Sequence, residues 1–149
     1  MIAVISAKAN DPQPHRSQCL SNQRALLLVD GHASDLQHWL PAAQIPAEAI
    51  PANSDPLQAI SQLLHQHRLE AAAVQDLHLI AHGSKQGLLI NQQWLDCDAI
   101  RQYPQQLHHW GIQRLFLWSC EIGQNNDLIA LLSENSGAEV FSSPGRLNQ

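Results

Sequence analysis

The stretch LHLIAHG (residues 77–83), followed by RLFLWSC (residues 114–120), decides the fold class of this chain. Each is a continuous apolar run of strand length, which is typical of a strand buried on both faces of a parallel sheet. A third such run, ALLLVD (residues 25–30), comes before them and is followed by Gly31. Segments with helical spacing separate the runs, and this alternation predicts an α/β fold with a mostly parallel sheet.

Capping residues mark the helices between these strands. Aspartate, asparagine and serine accept hydrogen bonds from the first turn of a helix, and glycine ends a helix in the left-handed conformation. We expect the last helix to end at Gly137, and one helix to run from about residue 98 to 110. The residues predicted to begin the other helices are Ser34 or Asp35, Asp55 (followed by a proline), and Asn125 or Asn126.

Two further elements complete the predicted sheet region. GLLINQQWL (residues 87–95) predicts a small antiparallel hairpin with Asn91 and Gln92 near its tip. AEVFSS (residues 138–143) predicts the last strand. Before the first strand, residues 10–24 are polar and contain two prolines. We therefore expect an N-terminal arm or linker over residues 1–24 and a single domain over residues 25–149.

The composition excludes several classes of protein. With 149 residues, 44% hydrophobic and 14% charged, the chain is typical of one globular domain. A net charge of −5 with only 8 lysines and arginines argues against a nucleic-acid partner or an anionic membrane partner. No stretch approaches the roughly 18 apolar residues of a membrane helix. The N-terminus lacks the basic region of a signal peptide, which favours the cytoplasm.

The three cysteines show no metal-site or redox spacing. Cys19, Cys97 and Cys120 form no CxxC motif and no Cys/His ligand pattern. The histidine pairs of the predicted helices are one or two residues apart, so the members of a pair do not share a helix face. The sequence therefore predicts neither a metal site nor a cofactor.

Three predicted strands end in a residue capable of chemistry. Asp30, His82 and Cys120 follow apolar runs, and a glycine comes one to three residues after each. Ligands of open parallel sheets bind at the carboxyl ends of the strands. If the last two of these strands are neighbours, His82 and Cys120 emerge side by side, as a thiol nucleophile and its proton-transfer partner require.

Each of these residues also has an ordinary structural interpretation. A lone cysteine at a strand end is usually a small buried hydrophobe, a histidine there is often a hydrogen-bonded core residue, and Asp30 can cap the following turn. Their joint placement favours function. Competing motifs are absent: there is no GxGxxG, no GxxxxGK[ST] and no GxSxG. A receiver domain, which can use Asp30, needs a phospho-accepting acid where this chain has His82.

The order of these elements resembles the caspase-like cysteine peptidases. The closer resemblance is to an uncharacterised bacterial domain of that fold, family 4347 of the domains of unknown function, found near the N-terminus of large adhesins and frequent in cyanobacteria. It covers about residues 25–145. The stretches that carry it are LLLVDGHASDLQHWL (26–40), PANSDPLQAISQLL (51–64), LHLIAHGSKQGLLI (77–90), LFLWSCEIG (115–123) and AEVFSSPG (138–145). It implies a three-layer α/β/α fold with flavodoxin-like strand order and a small hairpin after the His-Gly strand.

The resemblance implies a cysteine peptidase that acts on a peptide or protein substrate, including its own chain. The Cys120 thiolate would attack the scissile carbonyl and His82 would protonate the leaving amine. Backbone N–H groups of Gly83 and Cys120 would stabilise the oxyanion. Asp30 stands where related peptidases place substrate-pocket residues, which implies a basic P1 side chain. Glu121 either adds to that acidity or faces solvent.

The sequence departs from the family pattern at three places beside these residues. Ala81 replaces a common serine, Ser119 replaces a common glycine, and the loop HGSKQG (residues 82–87) is one residue longer.

Two alternatives to the peptidase stay open. One is a catalytically inactive interaction module that uses its last strand, including as the contact of a homodimer. The other binds a small molecule at the strand ends without chemistry.

Overall fold

The computed structural model describes residues 24–33, 45–70 and 72–142. The predicted N-terminal arm and the helix predicted after Ser34 or Asp35 lie outside these ranges, except for Arg24. The strands, in chain order, are β1 (Ala25–Val29), β2 (Ala47–Ala49), β3 (Asp76–Ile80), β4 (His82–Gly83), β5 (Leu88–Ile90), β6 (Gln93–Leu95), β7 (Arg114–Trp118) and β8 (Glu139–Ser142). The α-helices are α1 (Pro56–Glu70), α2 (Cys97–Gln102), α3 (Pro104–His108) and α4 (Asn126–Ser136).

Five strands form a parallel sheet in the order β2-β1-β3-β7-β8. This is the flavodoxin-like order. The two central pairings are in step, with Ile80 of β3 lying opposite both Val29 of β1 and Trp118 of β7. The predicted α/β class with a mostly parallel sheet is therefore confirmed, and the three central strands end at one edge.

One face of this sheet holds the larger core. Leucines at alternate positions of β1, β3 and β7 are fully buried there and pack with the apolar faces of α1 and α4. Burying one such side chain contributes roughly 1.5–3 kcal/mol, so this face supplies much of the stability of the fold. The strand leucines are Leu26, Leu28, Leu77, Leu79, Leu115 and Leu117, and the main helix residues are Leu57, Ile60, Leu64, Leu128 and Leu132.

The opposite face contains a stack of rings. The His78 ring lies parallel to the Phe116 ring with centroids 4.4 Å apart, and Phe116 stacks on Phe141 at 4.9 Å. The Nε1–H of Trp118 donates to His78 Nδ1 over 3.1 Å. A histidine is thus accommodated within an otherwise apolar face because one ring nitrogen has a hydrogen-bond donor and the ring itself is stacked.

Capping residues act largely as predicted. The backbone N–H of Gln58 donates to the Asp55 carboxylate over 3.0 Å at the start of α1, and Gly137 ends α4 with φ of 75°. The helix predicted over residues 98–110 is instead two helices. The backbone of Tyr103 leaves the helical region, with φ of −134° and ψ of 57°, and the next residue is Pro104, which has no N–H to donate.

The small sheet β4-β5-β6 confirms the predicted antiparallel hairpin and adds a strand to it. Asn91 and Gln92 form its tip with φ of 53° and 62°, the backbone that a two-residue hairpin turn requires. The main-sheet strand β3 ends at Ile80, and His82 and Gly83 pair with this hairpin instead. Within the described ranges, no helix is long and apolar enough to cross a membrane.

Candidate functional site

His82 and Cys120 lie at the same edge of the main sheet. Ile80 and Trp118 are the last paired residues of β3 and β7, and the Ala81 N–H donates to the Trp118 carbonyl over 3.4 Å. His82 and Cys120 each follow this pair by two residues, and both are half-buried. The structure therefore brings the two residues to adjacent strand ends, as the apolar runs predict. Their use in catalysis stays a prediction.

Gly83 and Ser119 approach each other closely where the two strands end. A Cβ atom on Gly83 would lie 2.1 Å from Ser119 Oγ and 2.9 Å from the Gly87 carbonyl oxygen, so the space admits only glycine. Ser119 is completely buried, and its Oγ has no hydrogen-bond partner among the described residues. The residues next to His82 and Cys120 are thus in direct contact, which fixes the separation of the two backbones.

The segment after Cys120 turns sharply. Glu121 adopts the left-handed conformation with φ of 59° and ψ of 6°, which is uncommon for a residue with a side chain. A short 3₁₀ helix, Ile122–Gln124, follows, and the fully buried Ile122 anchors it to the core. Glu121 is half-buried. Backbone strain of this kind is concentrated at functional sites, so the turn is a second feature that singles out this edge.

Asn125 connects this segment to the loop that follows His82. Its Oδ1 accepts the N–H of Leu128 over 3.0 Å and so caps α4. Its Nδ2 donates to the carbonyl oxygens of Lys85 and Gln86, over 2.7 and 3.3 Å. The loop is also braced from within, since the Gln86 N–H donates to Ser84 Oγ over 3.0 Å. One side chain therefore joins two loops about 40 residues apart in sequence.

A shallow polar cleft lies where these two loops meet. It measures about 360 Å³ and has the N-terminus of α4 in its wall. Lys85 brings a positive charge and Asp127 a negative one, so the cleft has no single sign of charge. The residues lining it are Lys85, Gln124, Asn125, Asn126 and Asp127.

Asp30, the third predicted site residue, is 1% exposed and is hydrogen-bonded through both carboxylate oxygens. Oδ1 accepts the N–H of Asn91 at the hairpin tip over 2.9 Å, and Oδ2 accepts the N–H of His32 over 3.3 Å. Asn91 Nδ2 in turn donates to the carbonyl oxygens of Pro51 and Ser54. Asp30 therefore caps the turn that follows β1, as its ordinary structural interpretation predicts. Its role in a substrate pocket stays a prediction.

Two pKa shifts lie away from this edge. Burial lowers the pKa of His78 to about 4, against a smaller opposing effect of Asp76. Burial raises the pKa of the Cys97 thiol, so the Cys97 thiolate is scarce at neutral pH. Neither Cys97 nor Cys120 is in a disulfide. Among the residues that the structure describes, no cluster of three or more histidine, cysteine or carboxylate side chains has metal-site geometry.

Two structural features at this edge cannot be predicted from the sequence alone. Asn125 is predicted as a helix cap, but its contact with Lys85 depends on how two distant loops approach each other. The contact of Ser119 with Gly83 likewise depends on strand order. The sequence does contain a sign of the Ser119 feature. Its hydroxyl directly follows an apolar run, and a buried hydroxyl either finds a hydrogen-bond partner or stays unsatisfied.

The family model described as "Domain of unknown function (DUF4347)" matches residues 26–147 of this chain. The matched region contains all the strands and α-helices described above except the first residue of β1. It also contains the candidate residues from Asp30 to Asn125. No curated protein matches the chain at a significant level.

Proposed function

The chain belongs to the DUF4347 family, whose function is unknown, and from this premise we propose that it is a caspase-like cysteine peptidase that uses His82 and Cys120. One observation carries the proposal. The two residues follow the same register pair, Ile80 and Trp118, on adjacent parallel strands. A thiol nucleophile and a proton-transfer group must be neighbours at an accessible edge, and these side chains are both half-buried there.

The proposed reaction follows the usual two steps of a thiol peptidase. The Cys120 thiolate attacks the scissile carbonyl, and the C–N bond breaks as His82 gives a proton to the leaving amine. Water, deprotonated by His82, then attacks the thioester, and the acid product leaves while Cys120 regains its thiolate. The N–H groups of Gly83 and Cys120 are the proposed donors to the oxyanion.

The caspase-like three-layer arrangement is part of this proposal. It requires a second layer over the sheet face that carries His78, Phe116 and Trp118. The burial of these side chains supports such a layer, since each is at most 6% exposed. The family resemblance to adhesin-associated domains suggests that the substrate is a protein chain, including a larger chain that contains this domain.

Peptide cleavage tests the proposal. The substrates carry arginine, lysine, aspartate or asparagine at P1, since a basic preference is the prediction tied to Asp30. We expect the wild type to cleave at least one of them and Cys120→Ala to lose about 1,000-fold or more in rate. Cys97→Ala is the matched control and should retain activity. Equal inertness of wild type and Cys120→Ala on all substrates would contradict the proposal.

The second candidate is an interaction module that pairs through β8. Among the described strands, β8 is an edge strand that pairs only with β7. The Glu139 N–H donates to Gln113 on the β7 side over 3.0 Å, so the next N–H, that of Val140, points to the open edge. Such an edge is a template for pairing with a second copy of the chain.

Sedimentation tests this second candidate. Val140→Pro removes an outward N–H and leaves the ladder with β7 in place. An edge-strand homodimer predicts that the wild type sediments as a dimer at micromolar concentration and that Val140→Pro sediments as a monomer. A wild type that stays monomeric at all concentrations would contradict this candidate.

A further inference from the structure

We propose that Asn125 is a positioning residue that holds the loop after His82 in register with the loop after Cys120. This inference rests on the proposed function, because it concerns the geometry of the same pair. The side-chain hydrogen bonds of Asn125 described above involve Lys85, Gln86 and Leu128, and not His82 or Cys120. It acts through the backbone of Lys85 and Gln86, whose carbonyl oxygens accept both of its Nδ2 hydrogen bonds.

Among the described residues, at least two separate contacts join the two loops. The first is the packing of Ser119 Oγ against Gly83, directly beside the proposed reacting residues. The second is made by Asn125, five residues after Cys120, which donates to the carbonyl oxygens of Lys85 and Gln86, two and three residues after Gly83. The pairing of His82 and Gly83 with β5 holds the start of the loop, and the hydrogen bonds of Asn125 hold its farther part against the segment after Cys120. Asn125 thereby fixes the direction in which the backbone leaves His82.

An asparagine side chain suits this place because it both accepts and donates. Its oxygen caps α4 by accepting the Leu128 N–H, and its amide nitrogen supplies the two donors to the loop. Aspartate is an equally good N-cap and retains the acceptor. However, it has no donor, and it would place a carboxylate against two carbonyl oxygens. Asn125→Asp therefore separates the loop contact from the helix cap.

The effect on chemistry follows from the strictness of catalytic geometry. A misplacement of about 1 Å costs about 100-fold in rate, even when it originates away from the reacting atoms. A backbone released at Lys85 and Gln86 lies within four residues of His82. We therefore expect Asn125→Asp to slow the reaction of Cys120 without unfolding the protein.

The experiment uses the full chain carrying Cys19→Ser and Cys97→Ser, so that only Cys120 reacts. Asn125→Asp is compared with Asn126→Asp, which adds the same charge to the same helix terminus at an exposed residue with no side-chain hydrogen bond among the described ones. Three properties are measured: the melting temperature, the rate of trypsin cleavage after Lys85, and the rate of iodoacetamide alkylation of Cys120 from pH 5 to 9.

The proposal predicts that Asn125→Asp keeps its melting temperature within a few degrees and is cut after Lys85 at least 10-fold faster. It also predicts that rapid alkylation of Cys120 below pH 7 is lost. Asn126→Asp should resemble the unsubstituted protein in all three. An increase in cleavage with an unchanged alkylation profile would overturn the positioning role, and so would unchanged cleavage.

The starting protein distinguishes failure of this inference from failure of the proposed function. If Cys120 reacts slowly below pH 7 before any change at Asn125, the proposed function is wrong and the positioning role falls with it. If Cys120 reacts rapidly there and Asn125→Asp leaves that profile unchanged, only the positioning role is wrong. Asn125→Ala, which loses both the cap and the loop contact, should add a fall in melting temperature to the effects of Asn125→Asp.

Discussion

The Ser119 hydroxyl is buried at the proposed site without a hydrogen-bond partner among the described residues. An unsatisfied buried polar group costs about 1–3 kcal/mol. The Ser119 Oγ lies against Gly83, and a side chain at position 83 would collide with it. The close approach of the two strand ends thus has a local energetic cost, which is typical of residues beside functional sites.

Replacing Ser119 by alanine tests this cost. We expect Ser119→Ala to raise the free energy of unfolding by about 1 kcal/mol, because it removes a buried hydroxyl that has no partner. Ser133→Ala is the matched control. Its Oγ donates to the Ala138 carbonyl over 2.9 Å, so that change should lower the free energy of unfolding by about 1 kcal/mol. Urea denaturation measures both, and a destabilised Ser119→Ala variant would contradict the account.

His78 predicts a pH dependence of stability. Its pKa falls from 6.5 to about 4 on folding because the ring is buried. Folding therefore favours the neutral ring, and this contribution is fully present above pH 6.5 and is lost as the pH falls toward 4. The loss amounts to roughly 3 kcal/mol. Urea denaturation from pH 7.5 to 4 should show it.

His78→Phe provides the comparison for this pH dependence. It keeps a ring for stacking on Phe116 but removes the titrating group, so the free energy of unfolding should vary less between pH 6.5 and 4. It also removes the acceptor of the Trp118 N–H and lowers stability at pH 7. Phe116→Leu should lower the free energy of unfolding by an amount that does not change with pH. An unchanged pH dependence in His78→Phe would contradict the assignment.

At the scale of elements, Asp30 fastens the tip of the small hairpin to the end of β1. Its carboxylate accepts the Asn91 N–H, and Asn91 also reaches the loop before α1. The hairpin includes β4, which contains His82, so this anchor determines where the proposed site lies relative to the main sheet. A buried carboxylate with two backbone donors has a structural effect whether or not it also contacts substrate.

Asp30→Ala tests this anchor. It removes the buried carboxylate that accepts the N–H of the half-buried Asn91, and we expect a loss of about 1–3 kcal/mol in the free energy of unfolding. Asp98→Ala is the control, because the Asp98 side chain is 87% exposed and pairs only loosely with Arg101, at 3.6 Å. That change should cost less than about 0.5 kcal/mol. Equal stability of Asp30→Ala and Asp98→Ala would show that Asp30 has no structural effect.

At the scale of the whole molecule, the sequence predicts the strands that are buried on both faces, because their apolar runs are continuous. Strand β2 escapes prediction, since AEA is three residues long and lies at the sheet edge with little apolar pattern. The placement of His82 and Cys120 follows from strand alternation. The contacts that hold them, through Ser119 and Asn125, do not, because they depend on the approach of segments that are distant in sequence.

If His82 and Cys120 act as a pair, the rate of Cys120 alkylation at low pH should depend on His82. The comparison uses the protein carrying Cys19→Ser and Cys97→Ser, with and without His82→Gln. An ordinary cysteine, with a pKa of about 8.5, reacts slowly below pH 7, whereas a catalytic thiolate reacts rapidly there. We expect rapid labelling of Cys120 at pH 6, and we expect His82→Gln to abolish it. Slow labelling at pH 6 in both proteins would contradict this expectation.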